Sequence, residues 1–236
     1  MGTSFLVCHG AWSAGWAWKK MHPLMNAAGH RLVTPTYTGV GERVHLANPS
    51  IDLETHIQDI LNVIKYEDLR EIVLVGHSYG GMVATGVADR ARDLISQLIY
   101  IDAFVPEDGQ SLLDLNEPAR ARMQELVRAG EWRVPPNPTP PDTPAADLAW
   151  LTERRVDMPI KCFETKLKLH GGELTLPRSY IYATRITPAD TFAPFARRAK
   201  SEPGWRYYDM DASHSPNVTA PEALSKLLQK IVAGGE

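Results

Sequence analysis

Short apolar or β-branched runs recur along the chain with stretches of helical spacing between them, so the pattern switches repeatedly between the period of a buried strand and that of an amphipathic helix. Residues 4–8, SFLVC, read as a buried strand ending in the turn His9-Gly10-Ala11. Residues 15–28 carry apolar positions at helical spacing and close at Gly29; residues 31–35 form a second short strand, followed by the glycine-bearing loop 38–43. Asp52 opens a helix in which Ile57, Ile60, Leu61 and Ile64 recur three and four residues apart, and its acidic start suits the helix dipole. Residues 71–76, EIVLVG, are the most apolar strand, and a helix over 80–89 and the strand 97–102, QLIYID, follow. Such alternation predicts a parallel sheet flanked by helices, and so the class α/β.

From residue 104 the alternation breaks into helical pieces around a proline-dense loop. Pro135, Pro136, Pro138, Pro140, Pro141 and Pro144 fall within ten residues, a density that excludes the interior of a strand or helix. The pattern resumes with a strand over 178–184, a helix over 189–200, a strand over 205–210 and a helix over 221–232. One domain is therefore expected, with a core formed by 1–103 and 178–236 and with 104–177 as an inserted cap rather than an interdomain linker.

Composition limits the function classes. With 236 residues, 44% hydrophobic and 22% charged, the chain suits a single globular core and sets aside disorder and coiled coils. Its net charge of −3 gives no basic field for a phosphate backbone or an anionic membrane surface, so neither nucleic acid nor membrane is an expected partner. Cys8 and Cys162, the two cysteines, supply neither a disulfide framework nor a zinc spacing, so no metal is expected. The opening MGTSFLVCHG lacks the layout of a signal peptide, and no run approaches ~20 apolar residues. A cytoplasmic location is the expectation, and a homodimer is admitted without a sequence signal for it.

The strongest chemical signal is Gly76-His77-Ser78-Tyr79-Gly80, a G-x-S-x-G sequence set between the strand EIVLVG and a helix. That context marks a nucleophile elbow, in which a tight strand-to-helix turn perches the serine at the carboxyl edge of the sheet and small neighbours make room for it. A serine hydroxyl needs a base in hydrogen-bond reach and a third group to orient that base. Among eight histidines, His214 is singled out because it lies in a loop between the last strand and the last helix, over the same sheet edge. His9 and His77 are read as packing and loop-bonding residues, and His22, His30, His45, His56 and His170 as surface or loop residues. Two strand ends keep the order serine, acid, histidine: Asp102 at the tip of QLIYID, and Asp190 after the next strand, while Asp209 and Asp211 are lesser candidates read as solvated. Thr187, Pro188 and Asp190 read as the start of a helix, which gives Asp190 a structural task, so Asp102 is preferred and Asp190 is the alternative. The oxyanion donors expected are the backbone N–H groups of Tyr79 and Ala11. Trp12, Trp16, Trp18, Phe104, Trp132, Trp150 and Phe163 are read mainly as packing, with a few walling an apolar pocket. Met82, Met123 and Met158 are read as packing too.

These residues resemble the α/β-hydrolase superfamily over nearly the whole chain. The opening His9-Gly10-Ala11-Trp12 with Gly15-Trp16-Ala17-Trp18, the elbow Gly76-His77-Ser78-Tyr79-Gly80-Gly81 and the late Ser213-His214 are similar to the branch of plant methyl esterases, hydroxynitrile lyases and bacterial aryl esterases. The resemblance implies a six-stranded parallel sheet with an inserted helical cap, and a serine esterase that needs no cofactor and acts on small apolar or aromatic esters. Hydroxynitrile lyases of this branch carry a threonine in the opening turn and a lysine just after the histidine, where this chain has Gly10 and Ser215-Pro216; hydrolysis is favoured. The branch usually places its acid just after the strand at 178–184, where this chain has Arg185-Ile186, and some dehalogenases of the superfamily place theirs at the position of Asp102. Cyanohydrin or C–C bond cleavage on the same residues, and non-catalytic binding of a small ligand, are the alternative readings.

Overall fold

The computed structural model describes residues 2–172, 174–185 and 190–234. In chain order the core elements begin with β1 (Ser4–Cys8), a 3-10 turn (Gly15–Trp18), α1 (Met21–Ala27), β2 (Arg31–Val33), α2 (Leu53–Tyr66), β3 (Ile72–His77), α3 (Gly80–Arg90) and β4 (Ile95–Ile101). Next come α4 (Leu112–Leu115), α5 (Glu117–Arg128), β5 (Arg133–Val134), α6 (Ala145–Thr152), β6 (Met158–Pro159) and α7 (Lys161–Glu164). The last elements are β7 (Arg178–Ala183), α8 (Ala193–Ser201), β8 (Trp205–Met210), α9 (Pro216–Thr219) and α10 (Pro221–Val232).

Six strands form one parallel sheet in the order β2-β1-β3-β4-β7-β8, while β5 and β6 pair separately and antiparallel. Side chains alternate across each strand, so each face of the sheet builds its own apolar layer. Leu6, Leu74, Leu98 and Tyr180 point to the side covered by α2, α3, α8 and the segment 104–177. Phe5, Val7, Val75, Ile99 and Ile181 point to the other side, against Met21 and Met25 of α1 and Leu224, Leu228 and Ile231 of α10. Asp52 caps α2 through a reciprocal capping box with Thr55, which satisfies amide groups that the first turn would otherwise leave open.

The strand order also locates the site. From β1 the chain steps outward to β2, then returns past β1 to β3 and proceeds in the opposite direction. Loops leaving the carboxyl ends of β1 and β3 therefore diverge, and the crevice between them is where an open parallel sheet takes its ligand.

The predicted helix over 15–28 is divided into a 3-10 turn and α1. Pro23 has no N–H, so it can stand only in a helix's first turn, which forces α1 to begin at Met21. For the same reason Pro194 sets the start of α8 at Ala193, later than the predicted residue 189. The capping expectation at Thr187 lies outside the described residues. β2 ends at Val33, short of the predicted Pro35, and β4 starts earlier than predicted, at Ile95. At that start the register with β3 shifts between Ile72 and Val73, and Ser96 Oγ donates to the carbonyls of Glu71 and Ile72.

Candidate active site

Ser78 stands where β3 turns into α3, with a backbone φ of 55°. This left-handed geometry strains a residue with a side chain, and its surroundings hold it there. A Cβ at Gly80 would lie 1.9 Å from the carbonyl oxygen of Cys8, and one at Gly81 would lie 2.0 Å from that of Phe104. The turn is therefore too tight for any residue but glycine at these two positions. The Ser78 N–H donates to Ile101 O at 3.3 Å and the Ser78 carbonyl accepts from Phe104 N at 3.2 Å, tying the elbow to the end of β4.

His214 and Asp102 meet this serine. The Ser78 hydroxyl donates to His214 Nε2 across 3.0 Å, and His214 Nδ1–H donates to Asp102 Oδ2 across 2.6 Å. The carboxylate can only accept, which places the imidazole proton on Nδ1 and leaves Nε2 free to accept from the serine. Asp102 is 4% exposed and, directly after β4, also has a positive φ of 41°. Phe192 lies flat on the His214 ring, with centroids 4.8 Å apart at 9°. On the backbone side, the buried His77 ring donates from Nε2–H to the His214 carbonyl at 2.7 Å. Burial, then the neighbouring His214, lowers the His77 pKa from 6.5 to about 3, so it is a neutral donor.

Asp190 is occupied elsewhere. Its Oδ2 accepts from Tyr182 Oη at 2.5 Å and its Oδ1 from Ala193 N at 2.9 Å, at the start of α8. Among the described residues it does not bond to His214.

The turn after β1 packs directly on the elbow. A Cβ at Gly10 would stand 3.1 Å from His77 Nδ1 and 3.2 Å from Ser78 Cβ, and Trp12 is held at a φ of 56°. Neither Ala11 N–H nor Tyr79 N–H donates to another described residue, as suits amides facing a ligand. Tyr79 is fixed from below: its hydroxyl donates to His56 Nδ1 at 3.0 Å, while His56 Nε2–H donates to Thr38 O at 3.1 Å. His56, read from the sequence as a surface or loop residue, is fully buried in α2, and burial lowers its pKa to about 3. His9 is buried as well. Its Nδ1–H donates to Gly10 O at 2.9 Å, its Nε2 accepts from Tyr37 N at 3.3 Å, and burial lowers its pKa to about 4. His22, His45 and His170 are exposed and His30 is partly so.

Above these groups lies a cavity of about 650 Å³, walled by Trp12, Phe104, Met123, Phe163, Phe192 and the proline loop 138–141, and reached by Arg122, Arg155 and Arg185. Met123 is thus both packed and cavity-lining, while Met82 and Met158 are buried in the core. Among the described residues no group of His, Cys, Asp and Glu side chains is arranged to hold a metal ion, and no helix is long and apolar enough to cross a membrane.

Residues 5–227 match the alpha/beta hydrolase family. The chain belongs to that family. A relative named "Carbendazim hydrolyzing esterase", from Nocardioides sp. (strain SG-4G), is 38% identical over 237 residues, covering 95% of this chain and 98% of that protein. The "Pyrethroid hydrolase" of Sphingobium wenxiniae is 26% identical, covering 96% of this chain and 86% of that one. Among solved structures, an extracellular alpha/beta-hydrolase from a Paenibacillus species superposes with a TM-score of 0.81 over 97% of this chain and 98% of its own, at 23% identity. This alpha/beta hydrolase is accordingly an esterase-type enzyme, and its six-stranded parallel sheet flanked by helices is the family's fold.

Proposed function

We propose that the chain hydrolyses small carboxylic or carbamic esters with an apolar or aromatic body, through an acyl-enzyme on Ser78. The observation that carries this reading is the continuous hydrogen-bonded line Asp102, His214, Ser78, with distances of 2.6 and 3.0 Å, at the floor of one cavity. Ser78 Oγ attacks the ester carbonyl as its proton passes to His214 Nε2, and Asp102 stabilises the imidazolium that forms. The N–H groups of Ala11 and Tyr79 hold the developing oxyanion, each contributing on the order of 3 kcal/mol to the transition state. Collapse expels the alcohol, which takes the proton from His214. Water then gives a proton to the same nitrogen as it attacks the acyl carbonyl, and Ser78 leaves reprotonated with the acid released. Segment 104–177 serves as a cap that supplies Phe163, Met123 and the proline loop to the cavity and keeps water from the acyl-enzyme.

The cavity and the relatives support this substrate class. The cavity's walls are largely aromatic and its volume is in the range of pockets that take drug-sized ligands, and two relatives matched over most of their length are named for hydrolysing carbendazim and pyrethroids. Turnover of p-nitrophenyl butyrate and of carbendazim tests the proposal. Both should be hydrolysed by the native chain, and Ser78→Ala should lose at least about 10⁴-fold in kcat. A Ser78→Ala variant that retains native turnover would overturn it.

A further inference from the structure

Three guanidinium groups reach the cavity, and they differ in what neutralises them. Arg185 is bridged by Asp211 at 2.8 Å and by Asp142 at 3.6 Å. Arg122 and Arg155, both half-buried, have no carboxylate partner among the described residues. Both converge on Asn137: Arg122 Nη1 donates to its Oδ1, and Arg155 Nη1 donates to its carbonyl at 2.7 Å. Arg122 Nη2 donates to Pro135 O at 2.9 Å. Every one of these acceptors is uncharged. Pinning a loop therefore uses some of the N–H donors and leaves both charges uncompensated.

Both guanidinium groups lean on one uncharged residue, and partial burial strips away water that would solvate their charge. Burial pulls the Arg155 pKa down, and among the described residues no ion pair offsets it. Among the described residues the cavity acids are Asp102, which accepts from His214, and Asp190, which accepts from Tyr182. The Arg155 guanidinium lies 5.9 Å from the Trp12 ring centroid, and Trp12 directly follows Ala11, so the positive wall stands beside the proposed oxyanion turn.

We infer that Arg122 and Arg155 form an anion subsite, and that the esters this enzyme prefers carry a carboxylate remote from the scissile bond. The planar fork of a guanidinium matches the two oxygens of a carboxylate, and a bound carboxylate would supply the charge that the protein does not. This deepens the proposed ester hydrolysis and rests on it for turnover, although binding can be measured without it.

The experiment compares monomethyl isophthalate with methyl 3-methylbenzoate, which have the same ring and scissile ester but differ in one charge. The native enzyme should favour the charged ester by at least tenfold in kcat/KM. Arg155→Gln and Arg122→Gln should each lower that preference ratio by at least tenfold, with Arg155→Lys falling between. A native ratio near one, or a ratio unmoved by the Gln variants, would show that the arginines only pin the loop. In parallel, isophthalate is titrated calorimetrically into Ser78→Ala with and without Arg155→Gln. Binding weakened at least tenfold by the second change supports the subsite even where neither ester is cleaved, and absence of binding to Ser78→Ala overturns it. Lack of turnover of every ester, with isophthalate still bound through Arg155, would instead count against the hydrolytic proposal alone.

Discussion

Asp102 and Asp190 follow neighbouring strands, β4 and β7, yet their oxygens have different tasks: one accepts from His214, the other from Tyr182 and the first turn of α8. Asp102→Asn should therefore lower kcat by about 10⁴-fold by disturbing the imidazole tautomer. Asp190→Asn should keep kcat within a few-fold and cost about 1 kcal/mol of stability in urea unfolding. The reverse result would move the acid to Asp190. The grouping of Ser78, His214 and Asp102 into one hydrogen-bonded line is legible in the sequence, because the elbow sequence, a loop position and an acid ending an apolar strand are local signals. The burial of His56 has one signal in the sequence, its place in the Leu53, Ile57, Ile60, Ile64 stripe of α2, which a reading as a surface or loop residue misses. Phe192 against His214 and the bond from His77 to the His214 carbonyl join distant segments, and no spacing in the sequence announces them.

The elements were legible to the extent that each has its own period. All six core strands and the helices α2, α3 and α10 stand near where apolar spacing predicts them, whereas the boundaries of α1 and α8 obey prolines inside the predicted spans. β5 and β6 are two-residue strands, Arg133–Val134 against Met158–Pro159, too short to show any alternation. At the elbow, element geometry is stricter than pattern. Gly81→Ala brings a Cβ to 2.0 Å from Phe104 O, a backbone atom that cannot rotate away. This variant should lose about 2 kcal/mol or more in urea unfolding, while the exposed Gly109→Ala, with nothing near its Cβ but a positive φ of 77°, should lose only about 1 kcal/mol. Equal losses at the two sites would contradict the close packing of α3 on the end of β4.

At the scale of the whole molecule, three buried imidazoles couple the fold to pH. His9, His56 and His77 have pKa values lowered by burial from 6.5 to about 4, 3 and 3. On unfolding they return to the ordinary range, so below about pH 6.5 the unfolded chain binds protons that the folded chain rejects. Stability present above that pH is therefore lost as pH falls toward 4, with up to about 1.4 kcal/mol per pH unit for each such proton. Urea midpoints measured between pH 7.5 and 4.5 should fall on the acid side, and His56→Gln should lessen the slope. A flat profile would contradict the burial of neutral imidazoles.

The proposed chemistry begins at one oxygen, Ser78 Oγ. Intact-mass measurement after exposure to a fluorophosphonate tests it most directly, because the reagent reports a nucleophilic serine without any assumption about the ester. The native chain should gain a single adduct, mapped by peptide sequencing to Ser78, and folded Ser78→Ala and His214→Ala should gain none on the same timescale. Native protein that remains unlabelled, or an adduct that persists in Ser78→Ala, would contradict the assignment of this serine as the nucleophile.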